Sequence, residues 1–166
     1  RQRLLQWLTK KLNVSRMSYH HVVELLAEGS FEAFEKTLQE YLHDATSFHQ
    51  TGRKTAELFY HGFMLCLIST LRTYYFIQSE QEGLKGRSDT LLIPKPYHGT
   101  EALVVEYKVT QEPDKLAAVA QAGVDQIVQK GYAQPAKQHD HVKSARALCI
   151  AFCSKEVAMA HAQVPI

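Results

Sequence analysis

The 166 residues are 45% hydrophobic and carry a formal charge of +2 at pH 7. That is enough apolar content for one α/β core, and too little net charge to mark a nucleic-acid binder by itself. No run of about 18 or more apolar residues occurs, which argues against a membrane-spanning helix.

The chain opens Arg1-Gln2-Arg3 and continues as an amphipathic stretch rather than a secretory signal. Its abrupt ends are those expected of a domain cut from a longer protein, so other domains of a parent chain are expected. Cys66, Cys149 and Cys153 sit inside apolar runs rather than in CxxC pairs. They read as reduced core thiols of an intracellular protein.

The first half reads helical. Leu4, Leu5, Trp7 and Leu8 mark one short amphipathic segment, and Val22, Val23, Leu25 and Leu26 a second. Gly29-Ser30 stops the chain, with Ser30 placed as an N-cap and Glu32 and Glu35 in the first turns of the next helix. Phe31, Phe34, Leu38, Tyr41 and Leu42 then recur at helical spacing. After Gly52 a longer helix is expected from about Lys54 to Tyr74. Leu58, Phe59, Phe63, Leu65, Leu67, Ile68 and Leu71 cover much of its circumference, which places it centrally.

After Thr73 the period changes. Tyr74 to Ser79 is aromatic and β-prone, and Glu82-Gly83-Leu84-Lys85-Gly86 has the glycines of a turn between strands. Ser88 to Ile93 reads as a strand closed by Pro94 and Pro96, and Ala102 to Val109 as the strongest strand of the chain. Pro113 fits the first turn of a helix running to about Lys130 and ended by Gly131. Ala117, Ala118, Ala120, Ala122 and Gly123 give that helix a smooth face for a sheet. Residues 133 to 143 are polar and expected as a loop, Ala145 to Phe152 as a strand, and Lys155 to Ala162 as a closing helix.

Charged residues inside strands carry the chemistry. Glu106 and Lys108 interrupt the apolar run from Ala102 to Val109 and, at period two, share one face about 7 Å apart. They are either a pair on a solvated strand face or groups in use, because burying both is costly otherwise. Asp89 sits in the preceding strand, and a hairpin-like neighbour would bring it beside Glu106. Two carboxylates held close call for a cation. Oxygen ligands without thiolates or a histidine cluster select Mg²⁺ or Mn²⁺. Such an ion beside a lysine is the minimal apparatus for phosphodiester hydrolysis.

Asp89 followed by Glu106-Tyr107-Lys108 resembles the signature of the PD-(D/E)XK nuclease superfamily, with Ser88 in place of the proline. Three blocks, residues 80–89, 105–109 and 126–132, are similar to the branch found behind AAA-ATPase-like domains, over roughly residues 20 to 153. The resemblance implies a restriction-endonuclease-like α/β fold, αβββαβ with a mixed sheet flanked by helices. It sets residues 1–52 as an N-terminal helical extension on a core of 53–166.

The resemblance further implies that Asp89 and Glu106 ligate the metal, that the Tyr107 backbone carbonyl joins them, and that Glu57 supports the ion directly or through water. Lys108 would activate water or stabilise charge, and Gln126 would orient the site. Arg87, Lys130 and Tyr132 are candidates for substrate contact. The implied function is Mg²⁺- or Mn²⁺-dependent hydrolysis of nucleic acid, DNA rather than RNA. The alternative is a silent nuclease-fold module that binds a protein partner or nucleic acid. Related domains in bacterial toxins carry a glutamine-tyrosine feature similar to Gln126 and Tyr132, and the resemblance thereby extends to a toxin or effector context.

His61 shares a helix face with Glu57, from which both could reach a metal or a scissile phosphate, and is taken as a packed or solvated histidine. Arg87 either clamps phosphate or pairs with Glu82. Lys85, Lys95, Lys130, Lys137 and Lys143 could rim a nucleic-acid backbone, although scattered surface lysines are normal. His139-Asp140-His141 has no partner ligands nearby in sequence and is expected in a solvated loop.

Overall fold

A computed structural model describes residues 16–44, 53–83 and 86–166, the side chains of 16–20, 44, 53–55 and 80–88 excepted. The expected segment at Leu4 to Leu8, and Lys85, lie outside the described residues. Arg87 is described as a position in a strand but not as a side chain.

Helices α1 (Arg16–Ala27), α2 (Phe31–Asp44) and α3 (Arg53–Ile68) precede strands β1 (Tyr75–Gly83), β2 (Gly86–Pro94) and β3 (Glu101–Val109). Helix α4 (Leu116–Lys130) then leads to β4 (Ser144–Cys153) and β5 (Glu156–Val164). The strands lie in sequence order in one mixed sheet, with β3 and β4 parallel and the other neighbours antiparallel. Helix α4 is the crossover that a parallel β3–β4 pair requires.

Each strand face has its own helical cover. Leu103 and Val105 of β3, Leu148, Ile150 and Phe152 of β4, and Val157 of β5 pack with α1, α2 and α3. The opposite face, with Ala102, Val104, Ala147 and Cys149, packs on Val124 and Ile127 of α4. Period two therefore assigns Glu106 and Lys108 to the α4 side of β3, in line with Ala102 and Val104, and Tyr107 to the α3 side.

Gly123 sets how close α4 comes. A Cβ there would lie 2.1 Å from Cys149 Sγ, so only glycine fits. One turn before it, Ala120 packs on Ala151, with Ala158 and Ala160 of β5 against the same cluster. Small residues on both surfaces let helix and sheet approach closely.

Two expectations need correction. The long helix stops at Ile68 and tightens into a 3-10 turn over Ser69–Thr73. There the Ser69 and Thr70 hydroxyls donate to the Cys66 and Leu67 carbonyls, at 2.7 and 2.8 Å. Such bonding back to the preceding turn competes with regular helix.

The closing segment is a strand, β5, and not a helix. It pairs along the whole of β4, from Cys153↔Glu156 to Ala145↔Val164. Its alanines suggest helix propensity, but they serve close packing under α4. The turn into β5 puts Ser154 at a φ of 54°, a conformation more often given to Gly or Asn, so the hairpin has no sequence marker. Residues 133 to 143 also contain a short 3-10 helix, Gln134–Gln138, with Ala133, Ala136 and Val142 buried.

Candidate active site

The ladder between β2 and β3 runs Leu92↔Leu103, Leu91↔Val104, Thr90↔Val105 and then stops. One more step would set Asp89 opposite Glu106. Instead the strands part, and the Tyr107 backbone N–H donates to Asp89 Oδ2 at 2.7 Å. A side-chain carboxylate takes over from the backbone ladder, and a cleft opens beside it. Val105 and Thr90 below the split are fully buried, so the opening is local.

On the α4 side of β3, three side chains close a polar triangle. Lys108 Nζ donates to Glu106 Oε1 at 2.8 Å and to Gln126 Oε1 at 3.0 Å, and Gln126 Nε2 donates to the same Glu106 Oε1 at 3.0 Å. The contacts fix which end of the Gln126 amide faces which partner. Gln126 reaches the triangle because it follows Gly123 by three residues on the sheet-facing side of α4.

Glu106 is only 5% exposed, and its other oxygen, Oε2, is buried with no hydrogen-bond partner. Burial pushes its carboxyl above the ordinary range and the Asp89 charge adds to that, while Lys108 and the Asp89 backbone N–H oppose it. Burial disfavours the Lys108 ammonium, but the Glu106 carboxylate outweighs it and holds the lysine above its ordinary value. Lys108 is therefore a charged donor at neutral pH. Two of its three protons are committed to Glu106 and Gln126, and a third remains to be donated.

The cleft on the α3 side has a volume of about 590 Å³ and is lined by Glu57, His61, Asp89 and Tyr107, with Leu58, Gly62 and Val109. Leu58 is 77% exposed at its edge, so α3 is not buried all round. His61 Nδ1 lies 3.7 Å from Asp89 Oδ1, and its ring meets Tyr107 edge-on at 5.5 Å. His61, four residues from Glu57 on the same helix face, is thus packed against Asp89 and Tyr107 at the cleft. The Tyr107 hydroxyl reaches Thr90 Oγ1 at 3.4 Å, and burial raises its pKa.

A family model for the PD-(D/E)XK nuclease superfamily matches residues 55–162, more than half of the chain. The chain belongs to that superfamily. No curated protein matches it. The crystal structure of SSO0001 is similar at 12% identity and a TM-score of 0.41, over 88% of this chain and 62% of that one. The chain thus spans less than two thirds of that protein's length.

PD-(D/E)XK nucleases generally work with divalent metals, and the donor set here fits one. It consists of carboxylate and carbonyl oxygens around an orphaned buried oxygen, Glu106 Oε2. Among the described residues no three His, Cys, Asp or Glu side chains form a ready-made metal cage. An ion would need backbone and water oxygens beside Asp89 and Glu106.

The remaining expected site residues fall as follows. Glu57 is exposed on the cleft wall with Asp89. Lys130 follows Gln126 by one turn on α4 and is half-buried. Tyr132 is a correction: it is 2% exposed in the cluster with Val124, Ile127 and Ala136, so its ring packs the core rather than facing a substrate. His141 is fastened to the fold through Nε2 on the Pro94 carbonyl at 2.7 Å. No described helix is long and apolar enough to cross a membrane.

Proposed function

We propose that the domain hydrolyses phosphodiester bonds in DNA with Mg²⁺ or Mn²⁺. The observation that carries this reading is Glu106 Oε2, a carboxylate oxygen buried without a partner at the point where β2 and β3 separate beside Asp89. Leaving such a group unsatisfied costs about 1–3 kcal/mol, more for a charged one, unless something binds it. Asp89, Glu106 and the Tyr107 carbonyl would hold the ion, with Glu57 supporting it across the cleft.

A bound divalent cation would neutralise phosphate charge and acidify its own water. The chain's part is positioning and charge. Lys108, kept as an ammonium by Glu106, directs its uncommitted proton at the attacked phosphate or the incoming water, so it serves as a donor rather than a base. Gln126 is a positioning residue that holds both ends of the Lys108–Glu106 pair. Arg87 and Lys130 remain candidates for backbone phosphates. The branch associated with AAA-ATPase-like domains, an intracellular setting and a partner or effector role belong to the same proposal.

The test is cleavage of a plasmid and of single-stranded DNA by the purified protein. The reading expects products with Mg²⁺ or Mn²⁺, none with EDTA, and none from folded Asp89→Ala or Lys108→Ala. Cleavage that persists in both variants contradicts it.

A further inference from the structure

At the end of the sheet away from the catalytic triangle, aromatic rings stand in water beside a basic loop pair. Tyr97 is fully exposed, and Tyr74 and Phe76 are each 45% exposed. Lys95 Nζ sits 5.5 Å over the Phe76 ring, and His139 stacks on Phe76 with ring centroids 6.2 Å apart. Residues 94–100 and 131–143 hold three lysines and three histidines against one acid, Asp140, whereas the whole chain balances 19 basic with 17 acidic residues.

The patch is built rather than loose. His141 Nε2 on the Pro94 carbonyl joins the two loops, and the Lys95 N–H donates to the Tyr74 carbonyl at 2.8 Å. Lys95-Pro96-Tyr97-His98 forms a turn closed by His98 N–H on the Lys95 carbonyl at 3.0 Å. Tyr97, following Pro96, has a φ of 71°, the place where a type II turn ordinarily wants glycine. A bulky residue held there, touching nothing, is strain without packing in return.

We infer that Tyr97, Phe76 and Lys95 form a stacking platform for single-stranded DNA. Bases offer their faces to exposed rings only when unpaired, and lysines accept the backbone alongside. Glu24 and Glu28 border the groove by Tyr74 and His98, which steers phosphates to the side of Lys95, Lys137 and Lys143. Phe76 pairs with Ile93 on the α4 face of the sheet, the face that carries Glu106 and Lys108, and Pro94 lies five residues from Asp89 along β2, about 17 Å, so a strand resting on the platform runs toward the triangle. That link rests on the nuclease reading; the binding itself does not.

Fluorescence anisotropy with a labelled oligothymidylate of about 20 nucleotides, in EDTA, tests it. Tyr97→Gly should weaken binding about tenfold while leaving the melting temperature unchanged or higher, since glycine relieves the turn. Lys95→Gln should weaken it and lower the salt slope by about one. A duplex of the same length should compete poorly. Equal affinity in both variants, an equally effective duplex, or no binding by the wild-type protein overturns the platform. Cleavage in Mn²⁺ is scored separately: variant-sensitive binding without cleavage supports the platform and removes the nuclease reading, whereas cleavage with variant-insensitive binding does the reverse.

Discussion

The backbone N–H of Tyr107 donates to Asp89 Oδ2 at 2.7 Å across the point where β2 leaves β3. Asp89 is therefore both the residue that props the cleft open and a carboxylate facing into it. Asparagine can supply the acceptor oxygen but not the charge. Asp89→Asn should melt within about 1 kcal/mol of the wild type, since an acceptor for Tyr107 is kept. Its cleavage should fall at least about a hundredfold, because the charge that would hold a cation is gone. Thermal melts in EDTA and initial cleavage rates check the two halves.

Glu106 gives a pH signature. Its folded pKa lies above the unfolded value of about 4.3, so between the two the native state binds more protons. The protonated form's contribution is fully present below the unfolded value and is lost as pH rises through the folded one. In EDTA, wild-type stability should thus decline relative to Glu106→Gln as pH rises from about 4 toward neutrality. Urea melts of both proteins across that range measure the difference. A constant difference would mean that Glu106 titrates normally.

Gln126 touches both members of the ion pair, as donor to Glu106 and acceptor from Lys108. Gln126→Ala should lower kcat about 10- to 100-fold, the usual loss when a supporting hydrogen-bond partner is removed. Gln126→Glu should be worse than alanine, because it faces Glu106 with a second carboxylate. A glutamate variant more active than the alanine variant would contradict this orientation of the amide. Single-turnover cleavage separates the chemical step from product release.

Gly123 couples packing to the site. A methyl group there meets Cys149 Sγ at 2.1 Å, and the helix that must yield carries Gln126. Gly123→Ala should destabilise the fold by about 1–3 kcal/mol. Cys149→Gly in the same chain should recover part of that loss, a coupling that a double-mutant cycle resolves. Purely additive losses would place the clash elsewhere.

Both the candidate site positions and the αβββαβ order of the frame stood out in the sequence, for different reasons. Asp89, Glu106 and Lys108 were conspicuous because charge inside apolar strand runs is costly, whereas of the small-residue face expected on α4 only Ala120 and Gly123 meet the sheet and Ala117, Ala118 and Ala122 are exposed. The order from α3 to β4 was legible from period and punctuation. β5 was not, since its alanines answer to α4 across the sheet rather than to local propensity, and its turn uses Ser154 where Gly or Asn would have signalled it. Tyr132 looked like a site residue by motif position, yet it fills the core beneath the helix end. His61 gained meaning only when the parting of β2 from β3 brought Asp89 to it. The 3-10 turn at Ser69 depended on hydroxyls bonding backward, which apolar periodicity does not register.

Calorimetric titration of Mn²⁺ into the metal-free protein addresses the pairing of Asp89 with Glu106 most directly. The wild type should show a saturable site that disappears in Asp89→Asn and in Glu106→Gln alike, while circular dichroism confirms that both variants are folded. Saturable binding of undiminished affinity in both folded variants would contradict the account.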